Sequence, residues 1–217
     1  MEVIHIAILE NYQGIIDGYH FRFNHDPAIK ITAEARFGQQ LEEMLDSNQV
    51  DILLIEPCVP VSETNSNQFP VWSNLSSILK NRPFLKILVI TGNDNALNVK
   101  NAVNIGVNGY IFKEDAQTIR TLAAVVKSIA TGGFHYSRKA HEILQESMGN
   151  SMTLTARQLH ALSLAAAYPN ETSKELARRM KVAPSTFRSI LTPVYDELNV
   201  HSRLAAVEEA RRRGWIT

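Results

Sequence analysis

Short apolar runs recur along the first part of the chain, at Ile4–Leu9, Ile52–Ile55, Ile87–Ile90 and Tyr110–Phe112, with a weaker one at Ile29–Ala33. Each is rich in β-branched or aromatic residues, as strands buried on both faces require. Between them lie segments of helical period, Gln39–Leu45, Val71–Leu79, Ala96–Ile105 and Ala116–Ile129. Alternating strands and helices predict an α/β unit, a parallel five-stranded sheet with helices on both faces.

From Leu154 the pattern changes to closely spaced helices, which predicts a small all-α unit. Two helix starts carry capping boxes, Thr155 with Gln158 and Thr172 with Glu175; in each, a hydroxyl and a later polar side chain satisfy amides left open at a helix start. The run ETSKELARRMKVAPSTFRSILTPVYDELNV reads as a helix, a short turn and a second helix opened by Pro184, a residue suited to the first helical turn. Leu176, Ala177, Met180 and Val182 form the apolar face of the first helix, and Phe187, Ile190, Leu191 and Val194 that of the second. This is helix-turn-helix spacing, although any helical hairpin shows similar faces. Pro193 lacks an amide hydrogen and crowds the carbonyl of Ser189, a defect of about 3 kcal/mol in a regular helix, so a kink or an early end near Thr192 is expected. Ala183 is a poor N-cap.

The 217 residues, 45% hydrophobic and 20% charged, are ordinary for a globular chain, which excludes disordered and fibrous classes. No apolar run reaches the roughly 18 residues of a membrane span, and the start lacks the pattern of a secretory signal, so a cytoplasmic protein is expected. The single cysteine, Cys58, excludes an internal disulfide and a thiolate metal cluster. Overall charge balances at 22 basic and 22 acidic residues, but not locally. Up to Thr153 there are 12 Lys/Arg against 16 Asp/Glu, a net −4; from Leu154 there are 10 against 6, a net +4. A basic small unit behind an acidic larger one suits an anion-binding module carried by a regulatory body. No metalloprotease-like histidine spacing, Gly-rich phosphate loop or nucleophile elbow occurs, so neither an enzyme nor a cofactor is expected.

In a parallel α/β sheet the working site lies at the carboxyl ends of the strands. The residues closing the apolar runs are Glu10 and Asn11, Glu56, Thr91 and Lys113. The strings AILEN, ILLIEPCVP, ILVITGND and GVNGYIFKED follow in the order of a response-regulator receiver, and residues 1–131 resemble that flavodoxin-like domain. The resemblance implies an acidic pair after the first strand, a phospho-accepting Asp after the third, Thr or Ser after the fourth and Lys after the fifth. Thr91, Lys113 and the aromatic Tyr110 match. The acidic positions depart: Glu10 and Asn11 replace the pair, and Glu56 stands at the acceptor position.

Phosphotransfer needs Mg²⁺ held by clustered carboxylates and an Asp oxygen placed for in-line attack. Asn11 adds no charge, and Glu56 carries its carboxylate one methylene farther out; misplacement by about 1 Å costs roughly 10²-fold in rate. Two readings stand. Glu56 reaching toward Lys113 resembles a phosphorylated acceptor, or Glu10, Glu56 and Lys113 form an ion-pair cluster that supports a fold without its switch. Tyr110 and Thr91 match the pair that couples pocket to output face in the family; the plainer reading is a packed ring and a satisfied hydroxyl.

The strings LTARQ, SKELARRMKV, APSTFRSIL, ELNVHSRLAAV and RRGWI fall in order with the gaps of a LuxR-type domain, which residues 154 to 216 resemble. With an upstream receiver this is the NarL/FixJ architecture. The resemblance implies a four-helix module whose third helix enters the major groove of double-stranded DNA and whose fourth supports a homodimer. Arg188, Ser189 and Thr192 fall at groove-facing positions, and Lys174, Ser185, Thr186 and Arg203 at backbone-contacting ones. The chemistry fits, since Arg can grip guanine bidentately and Lys adds charge at phosphate. Ile190 departs from the histidine common at its position.

Residues 132–153 read as a linker with a short helix through Ala140–Gln145. Its HYSR, His135–Arg138, resembles faintly the W-[FLM]-[TS]-R motif by which some LuxR-type regulators bind cyclic di-GMP. Ser137 and Arg138 fit, but the leading Trp is His135, and cyclic di-GMP is not expected to bind. The expected function is a DNA-binding transcription regulator with an atypical receiver that works without phosphorylation. The alternative is a signalling adaptor whose receiver binds a protein partner, with little sequence-specific DNA binding.

Overall fold

The computed structural model describes residues 3–146 and 154–216. In chain order the amino-terminal body runs β1 (Ile4–Leu9), α1 (Gln13–Phe23), β2 (Ile29–Ala35), a 3-10 turn at Gly38–Gln40, α2 (Leu41–Asp46), β3 (Ile52–Ile55), a hairpin of β4 (Pro60–Ser62) and β5 (Asn65–Gln68), α3 (Val71–Asn81), β6 (Lys86–Thr91), α4 (Ala96–Ile105), β7 (Gly109–Phe112), α5 (Ala116–Arg120), α6 (Leu122–Ala130), β8 (His135–Tyr136) and α7 (Arg138–Glu146). The helical unit holds α8 (Ala156–Ala167), α9 (Ser173–Arg179), α10 (Pro184–Leu198) and α11 (Arg203–Arg212).

The main sheet has the order β2-β1-β3-β6-β7-β8, with every pairing parallel. Alternate residues of each strand enter opposite layers, as the two-residue period demands. Ala7, Leu9, Leu53, Ile55, Ile87, Val89, Tyr110 and Phe112 pack with α2, α3 and α4. Ile6, Ile8, Ile52, Leu54, Leu88, Ile90 and Ile111 pack with α1 and α6. Both faces are therefore covered by helices, and the strands end side by side along one edge, where side chains of opposite charge meet.

Four features depart from the expected pattern. The parallel sheet has six strands, not five, because β8 adds a short edge beside β7. Gly109 permits it: a Cβ there would lie 2.8 Å from the His135 carbonyl. The stretch expected as a tether thus starts inside the fold, and α7 follows with Ala140 fully buried; the part of that linker from 147 to 153 lies outside the described residues. Helix α1 has no counterpart in the expected elements. The hairpin β4–β5 is likewise new, and the helix expected over Ala116–Ile129 divides at Thr121 into α5 and α6.

In the helical unit both capping boxes form: Gln158 N donates to Thr155 Oγ1 and Glu175 N to Thr172 Oγ1, each at 3.3 Å. Phe187, Leu191, Val194 and Leu198 of α10 are buried among Leu159, Leu162, Leu176, Ala177, Ala206 and Val207. The expected early end near Thr192 is corrected, since α10 runs unbroken through Pro193 to Leu198. Pro193 is exposed, so the Ser189 carbonyl freed by the missing amide faces the solvent side. Leu191 and Val194, 2% and 0% exposed, anchor the helix on either side of it. As expected, Ala183 makes no side-chain cap.

The two parts touch. The side-chain amides of Asn65 and Asn67 donate to the Ala167 carbonyl at 3.1 and 3.2 Å, and that of Asn95 to the Gly214 carbonyl at 2.9 Å.

Candidate functional site

Two clusters stand out, and the first lies at the carboxyl edge of the sheet. Parallel strands β1, β3, β6 and β7 end side by side, which brings Glu10, Glu56, Thr91 and Lys113 together although they are far apart in sequence. Lys113 Nζ donates to Glu10 Oε2 at 2.6 Å and lies 3.0 Å from Glu56 Oε2. Thr91 Oγ1 donates to Glu56 Oε1 at 2.7 Å, and the Cys58 amide donates to the same oxygen at 2.9 Å. The second Glu10 oxygen accepts the Tyr12 amide at 3.0 Å. Glu10 and Glu56 are 1% and 7% exposed, so both carboxylates are nearly dry and every one of their oxygens is engaged.

Burial opposes the charge on Lys113, but the hydrogen bond to Glu10 and the charges of both carboxylates outweigh it and hold its pKa above the ordinary lysine value. Nearby, burial and then the Glu56 charge push the Cys58 thiol up to about 12, so it stays protonated and a poor nucleophile. The Tyr110 ring is fully buried and its hydroxyl has no partner. Thr91 is satisfied twice, since its hydroxyl also accepts the Asn93 amide at 3.1 Å. Asn11 turns a buried side-chain oxygen toward no donor.

A divalent cation, which the receiver resemblance implies, takes oxygen ligands from several carboxylates. Only Glu10 and Glu56 are carboxylates here, and all four of their oxygens are engaged by Lys113, Thr91 and the amides of Tyr12 and Cys58. Asn11 supplies no charge, and no group of three His, Cys, Asp or Glu residues that could hold a metal occurs among the described residues. The residues present do not fit such an ion.

The second cluster is the outer face of α10. Ser185, Arg188, Ser189 and Thr192 are exposed, with Thr186 partly so and Lys174 exposed on α9. One helix face is therefore buried hydrophobic, the other polar with a cation near its start. Ser189 Oγ donates to the Thr186 carbonyl at 2.9 Å and Thr192 Oγ1 to the Arg188 carbonyl at 3.1 Å, so both hydroxyls are held against the helix. Arg203 is partly buried and donates to the Pro169 carbonyl at 3.0 Å, bracing the start of α11. Arg179 grips Glu171 and lies 3.6 Å over the Tyr168 ring, and Arg212 and Arg213 share Glu209. Part of the positive charge is thus committed inside the unit. Docking of the two parts leaves the polar face of α10 uncovered.

Sequence reasoning did not find the β4–β5 contact with α8. Its only signal is the polar string NSNQ, which reads as loop. Of the HYSR residues, His135 and Tyr136 form β8, Ser137 is buried and Arg138 is exposed, bonded to Glu142 at 2.8 Å. No described helix is long and apolar enough to cross a membrane.

No family model matches this chain. It is 22% identical over 214 residues to the transcriptional regulatory protein DesR of Bacillus subtilis, covering 99% of this chain and all of that one. Among solved structures it is similar to the RcsB response regulator of Salmonella typhimurium, with a TM-score of 0.65, 16% identity and 98% of each chain covered. It is also similar to RcsB in a structure of two dimers bound to two parallel DNAs, with a TM-score of 0.60 and 15% identity over 97% of this chain and 98% of that one. Along its whole length, then, the chain is similar to transcriptional regulatory proteins and shares the fold of a DNA-bound response regulator.

Proposed function

We propose that this chain is a DNA-binding transcription regulator of the response-regulator class whose amino-terminal body works without phosphorylation. The observation that carries the reading is the polar outer face of α10, with Arg188 exposed while Phe187, Leu191 and Val194 pin the helix to its unit. A rigid helix with a cation on its first turns suits a major groove, where Arg can bond both acceptors of a guanine. Ser189 and Thr192 supply short polar contacts, and Lys174, Ser185, Thr186 and Arg203 secure the phosphate chain. The chain acts as a homodimer through α11, where Leu204 is 65% exposed. The DNA-bound RcsB dimers of similar fold support this reading.

Within it, the receiver is atypical because Glu56 occupies the acceptor position. Its two oxygens engage Thr91 and Lys113 separately, the hydroxyl and the ammonium that in a phosphorylated receiver would contact the phosphoryl oxygens. This engagement supports Glu56 as a permanent stand-in for a phosphorylated residue; the buried Tyr110 ring and the satisfied Thr91 hydroxyl fit equally a fold that keeps an ion pair.

The test is binding to genomic fragments over a range of salt. A defined site should be enriched, with log K falling by roughly 0.9 per phosphate contact against log salt. Enrichment of nothing would favour an adaptor working through protein contacts.

A further inference from the structure

Between the amino-terminal body and the helical unit lies a cleft of about 1050 Å³. It is bounded by α3 and α4 on one side and by α8 and the chain segment after α11 on the other. The amides of Asn65, Asn67 and Asn95 clamp the two parts at Ala167 and Gly214, so the cleft belongs to the docked arrangement.

Three properties of its lining point the same way. Charge comes first: Lys80 from the body and Arg157 from the helical unit line the cleft, and no Asp or Glu is among the described lining residues. In a chain with equal numbers of acids and bases, such segregation sets a local positive potential that draws anions. Aromatic surface comes second. Trp72 and Trp215, the two tryptophans of the sequence, both line it. Trp72 is fixed, since its indole N–H donates to Asn98 Oδ1 at 2.9 Å, which leaves the Asn98 amide hydrogens without a partner in a side chain 5% exposed. Third, burial lowers the His160 pKa to about 4, so this lining residue is a neutral donor and acceptor near pH 7 and competes for no anion. Cations and side-chain amides facing two tryptophans, in a volume at the upper end of the roughly 300–1,000 Å³ of small-molecule pockets, make a polar and aromatic site suited to a ligand.

We propose that this cleft binds a small organic anion built on a flat ring, its ring against the tryptophans and its acid group drawn to Arg157 and Lys80. The site is separate from the Glu56 cluster and from the α10 face, and it does not depend on the DNA reading.

The test uses 4-nitrobenzoate, a flat anion that quenches indole on contact, and its neutral amide as control. Because both tryptophans line the cleft, the emission of the full chain reports on it without background. The expected result is saturable quenching by the carboxylate, with affinity for the amide lower by roughly tenfold or more, the usual effect of a charge-assisted bond. Arg157→Ala combined with Lys80→Ala should weaken the carboxylate by a similar factor and leave the amide unchanged. Equal affinities for the two compounds, or quenching that rises linearly without saturation, would overturn the proposal. The comparison of carboxylate with amide needs no variant, so it stands whatever the stability of the double substitution.

Discussion

Thr91 donates its hydroxyl to Glu56 across 2.7 Å, joining the end of β6 to the end of β3 inside the buried edge of the sheet. A longer acid at the third strand therefore reaches the hydroxyl and the lysine directly. Incubation with acetyl phosphate and Mg²⁺ should leave the intact mass unchanged. Substituting Glu56→Gln should weaken dimerisation or DNA binding, measured by sedimentation and by anisotropy; unchanged behaviour would support the ion-pair reading. A mass gain of one phosphoryl group, absent from the Glu56 variant, would contradict the account of the receiver.

Lys113 is the shared counter-ion of Glu10 and Glu56. Lys113→Met leaves two buried carboxylates without a counter-ion and should lower stability by roughly 3–5 kcal/mol in denaturant melts. The pKa of Lys113 is raised on folding, so the folded state binds its proton more tightly than the unfolded one. That contribution is complete below the ordinary lysine value of 10.5 and is lost as pH rises through the higher folded value. Wild-type stability should thus fall at strongly alkaline pH, and Lys113→Met should show less of that fall.

His160 gives the opposite limb. Burial lowers its pKa from 6.5 to about 4, so the unfolded chain takes up a proton that the folded chain refuses. Between those values stability should fall as the solution is acidified, by up to about 3 kcal/mol once both states are protonated. The difference between wild type and His160→Gln across urea melts isolates this group from the carboxylates. Parallel pH profiles for the two proteins would sink the assignment.

Much of this was legible beforehand, and the reasons are physical. Ile4–Leu9 and Ile52–Ile55 match their strands because a β-branched run with no polar face suits only a strand covered on both sides. Thr155 and Thr172 mark their helix starts because the capping box is a local hydrogen-bond exchange. Helix α1 escaped notice since QGIIDGYHFRF carries two glycines and a poorly segregated apolar stripe. Strand β8 is two residues long and exists only because β7 is already there to pair with. The residues at the four strand ends were recognisable, whereas their joint engagement of every carboxylate oxygen depends on register between distant segments.

Pro193 shows where a local rule loses to packing. Its missing amide predicts a break, yet α10 continues through it, with buried Leu191 and Val194 anchoring the helix on either side. The defect still costs stability, so Pro193→Ala should raise it by about 1–3 kcal/mol, read as a shift in the denaturant midpoint at constant slope. A lower midpoint would mean that the proline shapes the helix rather than merely being tolerated.

The most direct test of the central claim is an unbiased selection of DNA sequences bound by the full chain, run in parallel with Arg188→Ala. Wild type should recover one defined site and Arg188→Ala should lose preference at a guanine within it, a change of roughly 1–3 kcal/mol. Recovery of no site, or of the same site with undiminished preference when Arg188 is removed, would contradict the assignment of α10 as the reader of DNA.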